Sequence, residues 1–384
     1  MIARELGRVL ASGKKSVLLL GPRQTGKSTL IKSLRPDIEI DLAHEPTYLD
    51  FLGNPRELEE RLKAASVPAR IFIDEIQRLP SLLNTIQFLL DKFPGRFRFY
   101  LTGSNARKLK RGRANLLPGR IHSFTMGPLC AKELGYDFSG EEAMSHGTLP
   151  GIWTESSALE KEKTLRSYAA AYVKEEVQAE GLARNLEGFA RFLRHAAESS
   201  GKFLDLSKIA SAAQTPRQSV VRFFEILEDS LLARKIEPFA QSSVRRLIQH
   251  PRFYFFDPGV LNGLLGNFTV SADRRGFLFE HLVVTQILHE AAARDLEVRL
   301  SGYRTEHGAE VGLIVEIGRE THAIEIKASK NVRAEELKGF ESFKNYYGRP
   351  HRCWLFYEGD VARVVQGVDI RPWQSGLREL FDSK

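Results

Sequence analysis

Lys27 and Ser28 follow a glycine, and a second glycine opens the same short stretch: Gly21, Pro22, Arg23, Gln24, Thr25, Gly26, Lys27, Ser28, Thr29. Glycine at both ends lets successive backbone N–H groups turn inward, and a helix starting near Lys27 adds the positive end of its dipole, so the loop suits phosphate oxygens. In this G-x-x-x-x-G-K-S spacing the lysine reaches the terminal phosphates and the serine hydroxyl ligates Mg2+. A second pair, Asp74 and Glu75, closes the apolar run Ile71, Phe72, Ile73. Adjacent acids at a strand end divide naturally: Asp74 holds the water shell of the metal, and Glu75 orients and deprotonates an attacking water. The expected ligands are ATP and Mg2+, since the guanine-reading Asn-Lys-x-Asp signature is absent from the sequence.

These residues need a sheet to bring them together. Val17 to Leu20 reads as a buried strand feeding the glycine loop, with Leu30, Ile31 and Leu34 at helical spacing after it. Residues 37–42 predict a second strand, 55–65 a helix with proline near its first turn, and 70–75 a strand covered on both faces. Residues 81–93 carry Leu82, Leu83, Ile86, Leu89, Leu90 and Phe93 on one helical face. A strand over 96–105 ends in Thr102, Ser104 and Asn105, at the carboxyl edge where open α/β sheets hold ligands. Residues 117–124 supply a fifth strand.

Composition bounds the rest. With 384 residues the chain is long enough for two or three compact units. No apolar stretch is long enough to span a bilayer, and Met1, Ile2, Ala3, Arg4, Glu5 lack the apolar core of a signal peptide, so a cytoplasmic protein without membrane contact is expected. Cys130 and Cys353 stand far apart, which argues against a disulfide framework or zinc site. The net charge of +8 is matched by one acid-free segment, Pro94 to Arg120, carrying Arg96, Arg98, Arg107, Lys108, Lys110, Arg111, Arg113 and Arg120. A phosphate-bearing partner, DNA or a neighbouring copy's nucleotide, would account for such a block.

The glycine loop, the Asp74–Glu75 pair, the strand ending Leu101 to Asn105 and the later Gly119–Arg120 resemble an AAA-type ATPase core. That resemblance implies that the polar-ended strand lies between the glycine-loop strand and the Asp-Glu strand. It implies that one of Thr102, Ser104 or Asn105 senses the terminal phosphate, with Ser104 and Asn105 favoured. It also implies a homo-oligomer, such as a ring, in which an arginine finger comes from the next subunit; Arg107, Arg111, Arg113 and Arg120 compete, and Arg120 is preferred because it follows a tight turn.

Downstream, a long helical pattern over 157–180 reads as a connector. Leu206 to Ala210 ends a short helix, and Thr215, Pro216 and Gln218 offer a capping box for a second helix. With the strand-like stretch from Leu231 to Phe239, this reads as a winged helix-turn-helix, which either presents Arg217 and Arg222 to a DNA groove or serves only as a packing module; Arg107, Lys108, Lys110, Arg111 and Arg113 are further candidate nucleic-acid contacts. Last comes a helix bearing Glu280, then a hairpin around Gly318 that holds Glu310 and, projecting together, Glu325 and Lys327. This order resembles the restriction-endonuclease-like fold, which implies a divalent metal and water activation. Gly312 stands where that pattern has its metal-binding Asp, so the unit is expected to have lost its chemistry.

The whole arrangement is similar to a poorly characterised prokaryotic AAA-type ATPase family. The expected fold class is α/β, with a P-loop AAA-type parallel sheet at 1–135, a helical connector at 136–187, a winged helix-turn-helix at 188–250 and a restriction-endonuclease-like domain at 251–384. The expected function is ATP hydrolysis acting on or regulated by DNA. Its rivals are a nucleotide-dependent switch that binds a protein partner and an ATP-coupled nuclease.

Overall fold

A computed structural model describes residues 2–104, 117–179, 186–239 and 250–382. The chain divides into two compact units: Met1–Gly127 with Asp229–Leu232 and Ala292–Asp295, and Pro128–Glu228 with Ala233–Ala291 and Leu296–Lys384.

The first unit holds α1 (Leu6–Ser12), β1 (Ser16–Leu20), α2 (Lys27–Ser33), β2 (Ile38–Asp41), α3 (Glu45–Gly53), α4 (Glu57–Lys63), β3 (Ala69–Asp74), α5 (Leu82–Lys92), β4 (Phe97–Gly103) and β5 (Ile121–Thr125). The strands form a parallel sheet in the order β2-β3-β4-β1-β5. Successive side chains of a strand face opposite ways, and here both faces are apolar. Val17, Leu19, Phe72 and Tyr100 pack with Leu6, Leu10, Leu30 and Ile31 of α1 and α2. Leu18, Ile71, Ile73, Phe99 and Leu101 pack with Leu58, Leu62, Leu83, Ile86 and Leu89 of α4 and α5. Each such side chain, buried, contributes about 1.5–3 kcal/mol, which fixes the register of the sheet and therefore of its polar edge. Helix α3 was not expected from the sequence.

The second unit begins with α6 (Gly140–His146), α7 (Pro150–Thr154), α8 (Ala158–Ala179), α9 (Leu186–Glu198), α10 (Leu206–Ala212) and α11 (Arg217–Asp229). It continues with β6 (Ala233–Pro238), β7 (Arg252–Phe255), α12 (Pro258–Leu265), α13 (Ala272–Ala293), β8 (Val298–Arg304), β9 (Glu310–Ile317), β10 (Glu320–Lys327), α14 (Lys338–Tyr347), β11 (Arg352–Tyr357), β12 (Arg363–Val365), β13 (Val368–Pro372) and α15 (Trp373–Asp382). The stretches expected as connector, helix-turn-helix and terminal domain thus share one compact unit. Its sheet runs β12-β13-β11-β10-β9-β8-β6-β7. Strand β6 pairs antiparallel with β7 and parallel with β8, at Glu237 opposite Ser301. Strand β11 sends Trp354 and Phe356 to one core and Leu355 and Tyr357 to the other, the alternation of a sheet buried on both sides. Thr215 does not build the expected capping box; its hydroxyl donates to the Ala213 carbonyl at 3.1 Å.

Asp257 is fully buried before α12, accepting from Thr148 N at 2.8 Å and Val260 N at 3.0 Å. Burial pushes its carboxyl up to about 6 against those hydrogen bonds. Asp257→Ala should lower the stability of this unit by about 2 kcal/mol, because it removes a helix cap and leaves buried N–H groups unpaired. Thermal unfolding of the variant beside the wild type checks this.

Candidate nucleotide site and a closed acidic cluster

Gly26, at φ 89°, turns the chain into α2, and Gln24 also lies in the left-handed region at φ 61°. Lys27 is the first residue of that helix and is only 6% exposed. Its Nζ donates to the carbonyls of Gly21 at 2.9 Å and Pro22 at 2.8 Å. Burial pushes the ammonium down to about 8, opposed by the charges of Glu75 and Asp74 and assisted by Arg23. Thr25 is buried and its Oγ1 donates to the Pro22 carbonyl at 2.9 Å. A Cβ at Gly21 would lie 2.2 Å from the Met126 carbonyl oxygen, so the loop's first position admits only glycine. Arg4 braces the loop from outside, donating to the carbonyls of Thr25 at 2.6 Å and Gly127 at 2.8 Å. Gln24 and Thr29 are exposed, Ser28 and Arg23 are half-buried, and Pro22 is buried.

The register completes the site. Leu20 lies opposite Gly103 and Ile73 opposite Leu101, so β4 stands between β1 and β3 and the three strands end at one edge. Thr102 Oγ1 donates to Asp74 Oδ1. Glu75 N also reaches that oxygen, at 3.1 Å. Glu75 itself sits at φ 55°, a left-handed conformation that costs a non-glycine residue roughly 1 kcal/mol. Its Oε2 accepts from Gln77 Nε2 and, at 3.4 Å, from Ser104 Oγ. Gln77 Nε2 lies 3.1 Å from Ser104 Oγ as well. The donors fit a hard divalent cation: among the described residues neither the Ser28 hydroxyl nor Asp74 Oδ2 has a protein partner.

The structure therefore brings together Lys27, Ser28, Asp74, Glu75, Thr102 and Ser104. Asn105, Arg107, Lys108, Lys110, Arg111 and Arg113 lie outside the described residues. Arg120 is not brought to the site. It precedes Ile121, which pairs with Ser16 at the start of β1, placing it at the amino edge, about 13 Å of strand from the glycine loop. There it binds Asp91 through two hydrogen bonds, at 2.5 and 3.0 Å. Arg98, from the same basic block, donates to the carbonyls of Leu10 and Lys15. Sequence reading missed Gln77 and Arg4. Gln77 could have been found, two residues past Glu75 on a one-turn helix; nothing in a single sequence marks Arg4.

In the second unit the expected acids do not form a metal site. Glu310 pairs with Arg304 at 3.5 Å. Glu325 pairs with Lys327 at 2.8 Å and accepts from Gly312 N at 2.9 Å. Glu280 accepts from Arg252 at 3.0 Å and from the Tyr254 hydroxyl at 2.7 Å. Among the described residues no group of three His, Cys, Asp or Glu could hold a metal ion. Arg217 and Arg222 are both exposed on α11, opposite buried Val220, Phe223, Phe224 and Leu227.

A glycine loop beside a paired Asp-Glu, with a polar-ended strand between them, is the arrangement of a P-loop, AAA-type sheet core. Residues 13–135 match AAA_14, described as an AAA domain. Residues 139–271 and 275–374 match two domains of unknown function, DUF8612 and DUF4143. Uncharacterized proteins of Mycobacterium tuberculosis and Mycobacterium bovis are each 26% identical over 323 residues, 81% of this chain and 70% of theirs. Among solved structures, NtrX of Brucella abortus in complex with ATP is 13% identical, covering 58% of this chain and 66% of its own, with a TM-score of 0.25. A signal transduction ATPase with numerous domains from Pyrococcus horikoshii is 13% identical over 75% of this chain and 45% of its own, at TM-score 0.23. Neither likeness carries weight at such scores. Among the described residues no helix is long and apolar enough to cross a membrane.

Proposed function

We propose that the chain is a cytoplasmic, Mg2+-dependent ATP hydrolase that works as a homo-oligomer and acts on DNA. The observation that carries the hydrolase is the shared edge at which Lys27, Asp74, Glu75 and Ser104 meet. Mg2+ would be held by Ser28 and the water shell on Asp74, where it neutralises charge on the transferred phosphoryl group. Lys27 exchanges its two loop carbonyls for phosphate oxygens. Glu75 takes the proton of the attacking water once its carboxylate is freed from Gln77, and Ser104 reports the presence of the terminal phosphate. An arginine from a neighbouring copy is to be sought among Arg107, Arg111, Arg113 and Arg120, the last of which would have to leave its exposed pair with Asp91.

The DNA part rests on the helix pair α10–α11 followed by the β6–β7 hairpin, a winged-helix arrangement with Arg217 and Arg222 exposed on its second helix. ATP turnover measured with single-stranded, duplex and branched DNA tests it. DNA should stimulate turnover, and the apparent affinity should fall steeply with salt; Arg217→Ala and Arg222→Ala should each lower the magnitude of that log–log slope by about 1. Turnover indifferent to every DNA would instead favour a switch that presents this unit to a protein partner.

A further inference from the structure

The acids of the second unit surround a cation that belongs to the chain itself. Strand β7 places the Arg252 side chain at 5% exposure, with Nη1 3.0 Å from Glu280 Oε1 on α13 and Nη2 donating to the Gly312 carbonyl on β9. The backbone of β8 closes over it, since a Cβ at Gly302 would lie 3.0 Å from Nη2. Tyr254, two residues along β7, fixes the same Glu280 oxygen, and Gly312 N fixes Glu325 from the other side. Glu280, Glu310 and Glu325 stand with three cations, Arg252, Arg304 and Lys327, and Glu336 adds its charge beside Lys327. The three cations take up most of the negative charge that would have to offset the dehydration of a divalent ion.

We propose that Arg252 is a built-in cation that takes the place, among Glu280, Gly312 and Glu325, which a divalent metal would need, so that this unit is a metal-free module that does not cleave DNA. A carboxylate at position 312 alone would not reverse this, because the guanidinium already fills the space between the strands. Removing both obstacles would. A Cβ at Gly312 meets Glu325 Oε2 at 3.6 Å, an ordinary contact, so Gly312→Asp fits and brings a carboxylate beside Glu325.

Mn2+ binding to the full chain, followed by electron paramagnetic resonance, tests the assignment. Wild type and Glu325→Gln should bind Mn2+ indistinguishably, the bound signal coming from elsewhere in the molecule. The double variant Arg252→Met/Gly312→Asp should gain a Mn2+ site that disappears again on adding Glu280→Gln. Mn2+ bound by wild type and lost in Glu325→Gln would overturn the proposal, as would a folded double variant, judged by near-ultraviolet circular dichroism, with no added site. Should the double variant fail to fold, the wild-type comparison still decides.

Discussion

Glu75→Gln should bind ATP as wild type does and turn it over about 10²–10⁴-fold more slowly, the usual contribution of a positioned general base. Glutamine keeps the shape and the contacts to Gln77 and Ser104 but cannot accept a proton. Binding is read by titration of a fluorescent ATP analogue and turnover by phosphate release. Undiminished turnover would remove Glu75 from its role and leave the Asp74 side of the edge to explain activation of water. In a hydrolase, the same geometry would hold Glu75 back from water until its carboxylate is released. In this conformation the Glu75 carboxylate is held by two neutral donors, one of them Gln77, whose own Oε1 is buried without a partner. That unpaired oxygen makes the resting arrangement less than fully stable and easier to displace.

The second large effect separates stability from binding at one residue. The Lys27 ammonium titrates near 8 when folded and at 10.5 when unfolded, because burial penalises its charge. Between those values the unfolded chain binds more protons, so stability rises with pH through the window from about 8 to 10.5, and the whole penalty is present at pH 7. The difference corresponds to roughly 3 kcal/mol. Lys27→Met deletes that penalty along with two hydrogen bonds to loop carbonyls, so at pH 7 the nucleotide-free variant should be more stable by about 1–3 kcal/mol and should lose the rise in stability above pH 8. It should also fail to bind ATP. Denaturant melts of the nucleotide-free protein at pH 7 and pH 9.5 provide the check; a variant less stable than wild type at pH 7 would show that Lys27 braces the loop more than it burdens it.

Most of the parallel sheet was legible because its strands are continuous apolar runs bounded by turn residues, and because the glycine loop and Asp74–Glu75 must both lie at carboxyl ends. Residues 38–41, 69–74 and 97–103 could be read in that way. Helix α3 escaped because its buried contribution is Phe51 while Leu49 and Leu52 are exposed, so it carries little periodic signal. The position of Arg120 at the amino edge was not legible, because a tight Pro-Gly turn says nothing about which end of a strand it serves; only the pairing of Ile121 with Ser16 does. Arg252 was passed over for a related reason. Its meaning depends on Glu280 and Gly312, which the sequence puts far away and the sheet puts side by side.

Strand β6 belongs at once to the hairpin behind α11 and, through Glu237 and Pro238, to the ladder that continues across β8, β9 and β10. Dissecting the chain between β7 and α13 would therefore not release two self-contained pieces. It would bare the outer edge of β6 on one fragment and that of β8 on the other, each with unpaired N–H and C=O groups ready to recruit foreign strands. The practical consequence concerns how the protein can be taken apart: the helix pair and the terminal sheet have to be expressed as one polypeptide, and either fragment made alone is expected to aggregate.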